Sequence, residues 1–307
     1  MTLRLGTRGS LLARTQSGLI ADALRRCGVE VETIEITTTG DRLSREGAPI
    51  EGKGIFTREL DEALRDGRID LAVHSLKDLP SELPSDLALA AVPPREDARD
   101  ALVSRSGARL SELVSGARIG TGSPRRAAQL LVRRPGVVCL PARGNVDTRL
   151  RRLREGAWEA VILALAGLRR LSRGDEATHV LDVGEMIPAV GQGALAIVTR
   201  REPIAPVEAL DDPETRAAVT AERRLLAVLE GGCRAPVAAH AWREGNALAI
   251  VAGVFALDGS ESLVERRTGA FDDPAQLGES TARALLDRGA ARLVAAARAS
   301  EFSPEGP

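Results

Sequence analysis

Short apolar segments of strand type alternate with amphipathic helices along the first part of the chain, and this alternation constrains the fold more than any other feature. It predicts strands at residues 3–7, 29–38, 69–75 and 87–92 and helices at 10–26 and 55–65. Residues 37–54 are rich in glycine and polar side chains, and we expect a long loop there. The order β-α-β-α-β indicates a mainly parallel sheet with helices on its faces.

The same pattern starts again after Pro93 and Pro94, with strands ending at 120, 140 and 164 and helices at 124–133 and 146–155. A strand within 190–199 and a proline-rich linker follow. The remaining helices and antiparallel strands are predicted at 215–229, 237–241, 248–255, 262–269, 273–287 and 290–298. We therefore predict two similar α/β domains, residues 1–94 with 191–208 and residues 95–190, and a smaller α+β domain, residues 213–307.

Composition narrows the class of protein. The 307 residues contain no apolar run long enough to cross a bilayer. The N-terminus lacks the basic and apolar regions of a signal peptide, so we expect a cytoplasmic protein without a membrane partner. Aromatic residues make up only 2% of the chain and the formal net charge is −1, which argues against a nucleic-acid-binding module, because such modules combine aromatic stacking platforms with a basic surface.

The three cysteines have no paired spacing, which argues against a disulfide framework and against a cysteine-ligated metal. Cys27 at a helix end and Cys139 in a strand are expected to be buried and inert. Cys233 follows two glycines and precedes Arg234, and a neighbouring cation favours the thiolate. Cys233 is therefore the candidate reactive thiol, although this chemistry alone leaves its reactivity open.

Five polar clusters follow the carboxyl ends of predicted parallel strands, which is the edge where open α/β sheets bind ligands. They are TRGS at 7–10, HSLKD at 74–78, GTGSPRR at 120–126, ARGN at 142–145 and LALAGLRR at 163–170. Each cluster alone is a weak signal, because loops are usually polar. Their recurrence predicts a ligand-binding edge in both α/β domains.

Arg125 and Arg126 are predicted to lie in the first turn of a helix whose N-cap is Ser123. Cations in a first turn are unfavourable by roughly 0.3–1 kcal/mol each. We therefore expect something anionic to compensate them, and we expect their replacement to cost little stability.

Arg8 precedes Ser10 and Arg143 precedes Asn145, so an arginine beside a helix N-terminus recurs. This arrangement suits phosphate or carboxylate ligands. The alternative is that these arginines stand there by chance, since arginine is abundant throughout the chain. Of its 42 Lys and Arg residues, only Lys53 and Lys77 are lysines.

Asp78 follows an apolar strand and precedes a Leu-Pro turn. A carboxylate in a cleft lined with arginines stays ionised, so it can stabilise a cation or accept a proton. The alternative is an aspartate that caps the turn. We expect His74 to be a hydrogen-bonded histidine at the strand end rather than a catalyst, and the position of Phe56 favours a core residue.

Nine segments together resemble the porphobilinogen deaminase (hydroxymethylbilane synthase) family. They are RLGTRGSLLARTQ, TTTGDR, GKGIFTRELDEAL, DLAVHSLKDLP, GTGSPRRAAQL, ARGNVDTRL, LALAGLRRL, PAVGQGALAI and LEGGCRAP, in chain order. The resemblance implies two α/β domains similar to periplasmic binding proteins, with the active cleft between them, and an α+β domain that carries a cysteine.

The same resemblance implies that Cys233 holds a dipyrromethane cofactor by a thioether and that porphobilinogen units are added to it, with loss of ammonia, until a linear tetrapyrrole is released. Asp78 matches the catalytic carboxylate. The implied cofactor contacts are Lys77, Ser123, Arg125, Arg126, Arg143, Arg149 and Arg170. The implied substrate contacts are Arg8, Ser10, Lys53 and Phe56, again with Arg143, Arg149 and Arg170. No metal is implied, and we expect a monomer.

A non-catalytic, two-lobed binding protein for a small anion is the alternative, because arginines at the edges of two α/β lobes describe such proteins as well. That alternative predicts export and does not need a third domain with a special cysteine.

Overall fold

The structure is a computed structural model that describes residues 2–46, 55–229 and 235–300. Its strands are β1 Thr2–Arg8, β2 Glu30–Ile36, β3 Leu71–Ser75, β4 Leu87–Ala91, β5 Asp100–Ser104, β6 Arg118–Gly120, β7 Val138–Leu140, β8 Ala160–Ala164, β9 His179–Leu181, β10 Leu195–Arg200, β11 Val237–Glu244, β12 Ala247–Phe255 and β13 Ser262–Ala270. Its α-helices are α1 Leu11–Arg26, α2 Thr39–Glu46, α3 Arg58–Arg65, α4 Pro124–Arg133, α5 Val146–Arg154, α6 Leu165–Arg170, α7 Ala205–Glu208, α8 Pro213–Val228, α9 Pro274–Asp287 and α10 Ala290–Ala299. None of these described helices is long and apolar enough to cross a membrane.

The chain forms two compact units. Unit 1 comprises Met1–Glu96 and Gly193–Arg216, and unit 2 comprises Asp97–Gln192 and Ala217–Pro307. Unit 1 holds one five-stranded sheet, with strand order β2-β1-β3-β10-β4. Unit 2 holds a second five-stranded sheet, β7-β6-β8-β5-β9, and a three-stranded antiparallel sheet, β11-β12-β13. The predicted α/β class with an α+β C-terminal region is therefore confirmed.

Each five-stranded sheet is mostly parallel and contains one reversed strand, which is the fourth in the order of both sheets. In unit 1 the reversed strand is β10, which pairs antiparallel with β3 and β4. In unit 2 it is β5, which pairs antiparallel with β8 and β9. Both reversed strands begin a few residues after the chain passes from one unit to the other, at Asp97 and at Gly193, so these two passages each add a reversed strand to the sheet that the chain enters.

The observed secondary structure differs from the predicted one in several places, including the helix α7 in the predicted linker and the helix α6, which was not predicted. Residues 37–54 were expected to form a loop, but the described part contains the helix α2. The strands β5 and β9 were not predicted at all. Both are short and pair with strands that are distant along the chain, so local periodicity carries little signal for them.

The antiparallel sheet of unit 2 packs against α8, α9 and α10 around one apolar core. Glu222 of α8 is fully buried. Its carboxylate accepts hydrogen bonds from the backbone N–H of Gly191, at 2.7 Å, and from that of Ala241, at 2.8 Å. Buried carboxylates need such partners, because an unpaired one is costly. Glu222 therefore joins α8 to β11 and to the segment that precedes β10.

Gly278 lets α9 approach α8 closely, because a Cβ at this position would overlap the carbonyl oxygen of Ala221. We expect Gly278→Ala to lower the free energy of unfolding by about 1–3 kcal/mol, the usual cost of overpacking. Gly18 in α1 is the matched control, since a Cβ there meets no atom within 4 Å. Gly18→Ala should be neutral or stabilising by about 0.4–1 kcal/mol. Urea unfolding of both variants measures the difference, and equal effects would contradict the close-packing explanation.

Candidate functional site

Arg8 stands at the carboxyl end of β1, where the chain turns into α1. Ser10 caps that helix, because its hydroxyl accepts a hydrogen bond from the backbone N–H of Ala13 at 3.3 Å. The capped turn fixes the backbone at the point where the guanidinium leaves the sheet edge. The predicted helix start and the predicted position of Arg8 are thus observed.

The guanidinium of Arg8 makes a two-point ion pair with Asp41. Its Nε donates to Oδ2 of Asp41 at 3.1 Å and its Nη2 donates to Oδ1 at 2.7 Å. The ring of Phe56 covers one face of this guanidinium, 4.1 Å from its central carbon to the ring centroid. Phe56 is therefore half-buried against a cation rather than simply a core residue. Gly40 makes room for the ring, since a Cβ there would overlap it.

Asp41 occupies only one edge of the Arg8 guanidinium. The opposite edge, formed by Nη1 and the second hydrogen of Nη2, has no acceptor among the residues that the structure describes. That edge can still take a carboxylate in a two-point contact. Sequence reasoning missed Asp41, although it stands in the segment TTTGDR that carried part of the resemblance.

Asp78 and Lys77 lie in a single 3-10 turn, Leu76–Asp78, that follows β3 directly. Because β1 and β3 are parallel neighbours, this turn lies at the same sheet edge as Arg8. Lys77 is half-buried, whereas Asp78 is exposed and has no hydrogen-bond or ion-pair partner within the described ranges. The Asp78 carboxylate is thus not engaged as a turn cap, and it is available to a ligand.

His74 ends the buried part of β3 and is 4% exposed. Its Nε2 has no hydrogen-bond partner among the described residues, so the expectation of a hydrogen-bonded histidine is not met at this atom. Burial, together with the positive charge of Arg8, lowers the pKa of His74 to about 3. The imidazole is therefore neutral at neutral pH.

In unit 2, Ser123 caps α4 by accepting a hydrogen bond from the backbone N–H of Arg126 at 3.4 Å. Arg125 and Arg126 follow in the first turn, as predicted, but both side chains are buried. The anion that compensates them is a protein residue, Asp100, at the start of β5. The expectation that something anionic compensates these arginines is thus met by a residue of the chain itself.

Asp100 is fully buried and uses both carboxylate oxygens on the two arginines. Its Oδ1 accepts from Nε of Arg126 at 3.0 Å and from Nη2 at 2.7 Å, and its Oδ2 lies 2.8 Å from Nη2 of Arg125. Burial alone would raise the pKa of Asp100, but Arg125 and Arg126 outweigh burial and hold it at about 2. Removing either arginine leaves a buried carboxylate with less compensation, so we now expect such variants to lose stability.

Arg149 on α5 is half-buried, and its Nε is covered without an acceptor in the described part of the chain. Burial, and then the nearby charge of Arg126, lowers its pKa to about 10. We call Arg125, Arg126, Arg149 and Asp100 the arginine cluster. Three guanidinium groups and one carboxylate give this cluster a surplus of positive charge, which suits an anionic ligand.

The other predicted ligand residues of unit 2 lie at the same edge of its sheet, because β6, β7 and β8 are parallel. Arg143 is exposed in the turn between β7 and α5, and Asn145 caps α5 by accepting from the N–H of Thr148 at 2.9 Å. Arg170 is half-buried at the end of α6. Lys53 and Cys233 lie outside the described residues.

The other two cysteines differ in exposure. Cys27 is exposed at the end of α1, so the expectation that it is buried was wrong. Cys139 is half-buried in β7, and burial raises the pKa of its thiol to about 11. A thiol with so high a pKa is a poor nucleophile at neutral pH.

The two sheets and the arginines at their edges define an α/β protein whose sheet edges suit anionic ligands. The family model described as "Porphobilinogen deaminase, dipyromethane cofactor binding domain" matches residues 3–205, and "Porphobilinogen deaminase, C-terminal domain" matches residues 216–287. The chain belongs to the porphobilinogen deaminase family. Membership rules out the non-catalytic anion-binding protein that the sequence left open.

Curated relatives cover nearly the whole chain. A porphobilinogen deaminase of Roseiflexus castenholzii is 49% identical over 300 residues, which is 96% of this chain and 99% of the relative. That of Mycobacteroides abscessus is 48% identical over 306 residues, 95% of this chain and 99% of the relative. Among solved structures, the methionine-binding protein MetQ is similar with a TM-score of 0.44 and 12% identity, over 68% of this chain and 89% of MetQ.

The depressed pKa of His74 predicts a pH dependence of stability. The unfolded chain binds a proton at His74 below pH 6.5, whereas the folded chain does so only near pH 3. The stability that neutral His74 contributes is thus fully present above pH 6.5 and is lost as pH falls through this range. Urea unfolding of wild type and His74→Asn at several pH values in this range should show a smaller acid-induced loss for the variant. Parallel losses in the two proteins would disprove the assignment.

Proposed function

We propose that this chain joins porphobilinogen units one at a time to a dipyrromethane that Cys233 holds by a thioether, and that the completed linear tetrapyrrole is then released by hydrolysis. As a member of its family the chain is a porphobilinogen deaminase, a transferase, with a dipyrromethane cofactor. The proposal adds which residues do the work. Its main support is an exposed carboxylate, Asp78, that has no partner among the described residues and lies at the sheet edge that also carries Arg8.

The residues of unit 2 fit a cofactor with many carboxylates. The Nε atoms of Arg125 and Arg149 are buried without acceptors among the described residues, and unpaired buried donors are costly. Carboxylate oxygens are the acceptors that complete such guanidinium groups best. We propose that Arg125, Arg126 and Arg149 hold carboxylates of the cofactor, together with Lys77, Ser123, Arg143 and Arg170.

When bound, the dipyrromethane supplies a free pyrrole α-carbon to which the next unit is joined. The substrate first loses ammonia: its aminomethyl C–N bond breaks, and the remaining methylene pyrrole carries a positive charge. The Asp78 carboxylate stabilises this cation beside the pyrrole N–H. Asp78 would then accept the proton that is lost when the new C–C bond forms.

Arg8 binds a substrate carboxylate through the guanidinium edge that Asp41 leaves open, while Phe56 and Asp41 keep the guanidinium from turning. Ser10 sets the backbone beside Arg8, and Lys53, Arg143, Arg149 and Arg170 contribute further charge to substrate binding. Arginine suits this task because its planar fork matches a carboxylate at two points.

We also propose that the chain has the three domains predicted from its sequence, so that unit 2 comprises the domain with the second five-stranded sheet and the cofactor-carrying α+β domain. The enzyme then acts as a cytoplasmic monomer on a small-molecule substrate, with neither nucleic acid nor a membrane as partner.

Asp78→Ala should lower turnover by about 10²- to 10⁴-fold, the usual contribution of acid–base catalysis. Its melting temperature should stay close to that of wild type, because an exposed side chain without a partner is removed. Asp272 is the matched control, an exposed aspartate that also has no partner among the described residues. Asp272→Ala should keep full turnover. Release of ammonia and of the linear tetrapyrrole measures turnover, and near-normal product formation by Asp78→Ala would exclude the assigned role.

If Cys233 holds the cofactor, the isolated protein should be heavier than its sequence by two linked pyrrole units, and the extra mass should map to the peptide containing Cys233. Cys233→Ser should lose both the mass and the activity, whereas Cys27→Ser and Cys139→Ser should keep both. A dithiol should not remove the group, because a thioether does not exchange with thiols. Intact-mass spectrometry decides the matter: an active protein with the bare sequence mass, or an adduct on another cysteine, would overturn the assignment.

A further inference from the structure

Asp100 is the one acidic member of the arginine cluster. Three guanidinium groups and one carboxylate leave the cluster with a net charge of +2. Without Asp100 the charge would be +3, and the cations would repel one another in a covered site where water screens them poorly.

The contacts of Asp100 also decide which donors stay open. Arg126 donates hydrogen bonds from Nε and Nη2 to Asp100, and from Nη1 to the carbonyl of Ile162 at 3.0 Å. Arg125 donates a hydrogen bond from Nη1 to the carbonyl of Ile187 at 2.6 Å, and its Nη2 forms an ion pair with Asp100. Its Nε has no acceptor among the described residues. Each guanidinium that Asp100 touches is thus fixed at several atoms, and the open donors lie on Arg125 and Arg149.

Gln192 completes the arrangement around Asp100. Its amide nitrogen donates to Oδ1 of Asp100 at 2.9 Å and to the carbonyl of Ala98 at 2.7 Å, and its Oε1 accepts from Nη2 of Arg126 at 3.4 Å. The carboxylate therefore cannot rotate away from the arginines without breaking several buried hydrogen bonds. Its charge is a fixed part of the cluster.

We propose that Asp100 limits the net charge of the arginine cluster to +2, the charge that the acetate and the propionate of one pyrrole ring neutralise, so that the cluster is stable before a ligand binds. This inference rests on the proposed function, because the pyrrole carboxylates come from it. A more negative cluster would bind such a ring weakly. A more positive one would be unstable before the ring arrives.

The test uses full-length Cys233→Ser, which cannot form the thioether, and porphobilinogen as the probe, because one molecule carries both carboxylates. Melting temperature is measured against porphobilinogen concentration at constant ionic strength. Asp100→Asn, with a cluster charge of +3, should melt lower than its parent without the probe and should gain more from it. The difference in gain to look for is about 2–4 °C or more. Asp100→Glu, which keeps the charge, should return the gain toward that of the parent.

Arg149→Gln keeps the test decisive even if Asp100→Asn does not fold. It lowers the cluster charge to +1 and removes a guanidinium that has no acidic partner in the described residues, so it should melt no lower than its parent and should gain less from the probe. Arg151→Gln is the matched control: the same charge is removed from the same helix, at an exposed side chain, and the gain should not change.

A probe-induced gain for Asp100→Asn no larger than that of its parent would show that Asp100 only stabilises the fold, and a lower melting temperature for Arg149→Gln without the probe would show that the charge count is wrong. Either result would overturn the inference while wild type still makes the tetrapyrrole on Cys233. Failure of the proposed function would instead appear as no tetrapyrrole and no adduct in wild type.

Discussion

One buried carboxylate, that of Asp100, makes the arginine-bearing edge of unit 2 possible. Arg125 and Arg126 stand in the first turn of α4, where the helix dipole opposes a cation, and both are covered by protein. Two uncompensated cations in that position would cost more than a helix of ten residues gains from its cap. The residues that could serve a ligand can therefore fold only because β5 brings an anion to the same place.

In unit 1, too, a carboxylate of the chain compensates an arginine at the sheet edge, but other elements supply the two residues. Arg8 leaves the end of β1 and is neutralised by Asp41 of α2, a helix that begins beside the buried Thr38. The hydroxyl of Thr38 donates to Oδ2 of Asp41 at 2.7 Å, so the carboxylate is itself held in place. In both units a carboxylate of the chain pairs with some N–H groups of an arginine, and other N–H groups of the same guanidinium have no acceptor among the described residues. A pair of this kind is charged enough to attract a carboxylate and fixed enough to receive it without reorganisation.

The parts of the fold that could be predicted from the sequence are those with local signals. Helix α4 and strand β8 have the predicted bounds, because Ser123 and Pro124 mark a helix start and a short apolar run marks a buried strand. Strand β5 and helix α2 could not be predicted, since each is short and depends on partners far along the chain. The arginines of the candidate site could be predicted from motifs. Their counter-ions, Asp41 and Asp100, could not, because each lies on one of these two elements.

Gln192 contacts Asp100 of the arginine cluster and is also the last residue before the chain returns to unit 1. The backbone on either side of it takes left-handed conformations at Gly191, with φ 70°, and at Gly193, with φ 88°. Side chains other than glycine rarely adopt such angles, so the path of the chain here depends on both glycines. That path is what turns the Gln192 amide toward Asp100, and Gly193 is also where the chain returns to unit 1. Between the arginine cluster and the reversed strand β10, the chain thus runs through a turn whose two glycines take conformations that would strain any other residue.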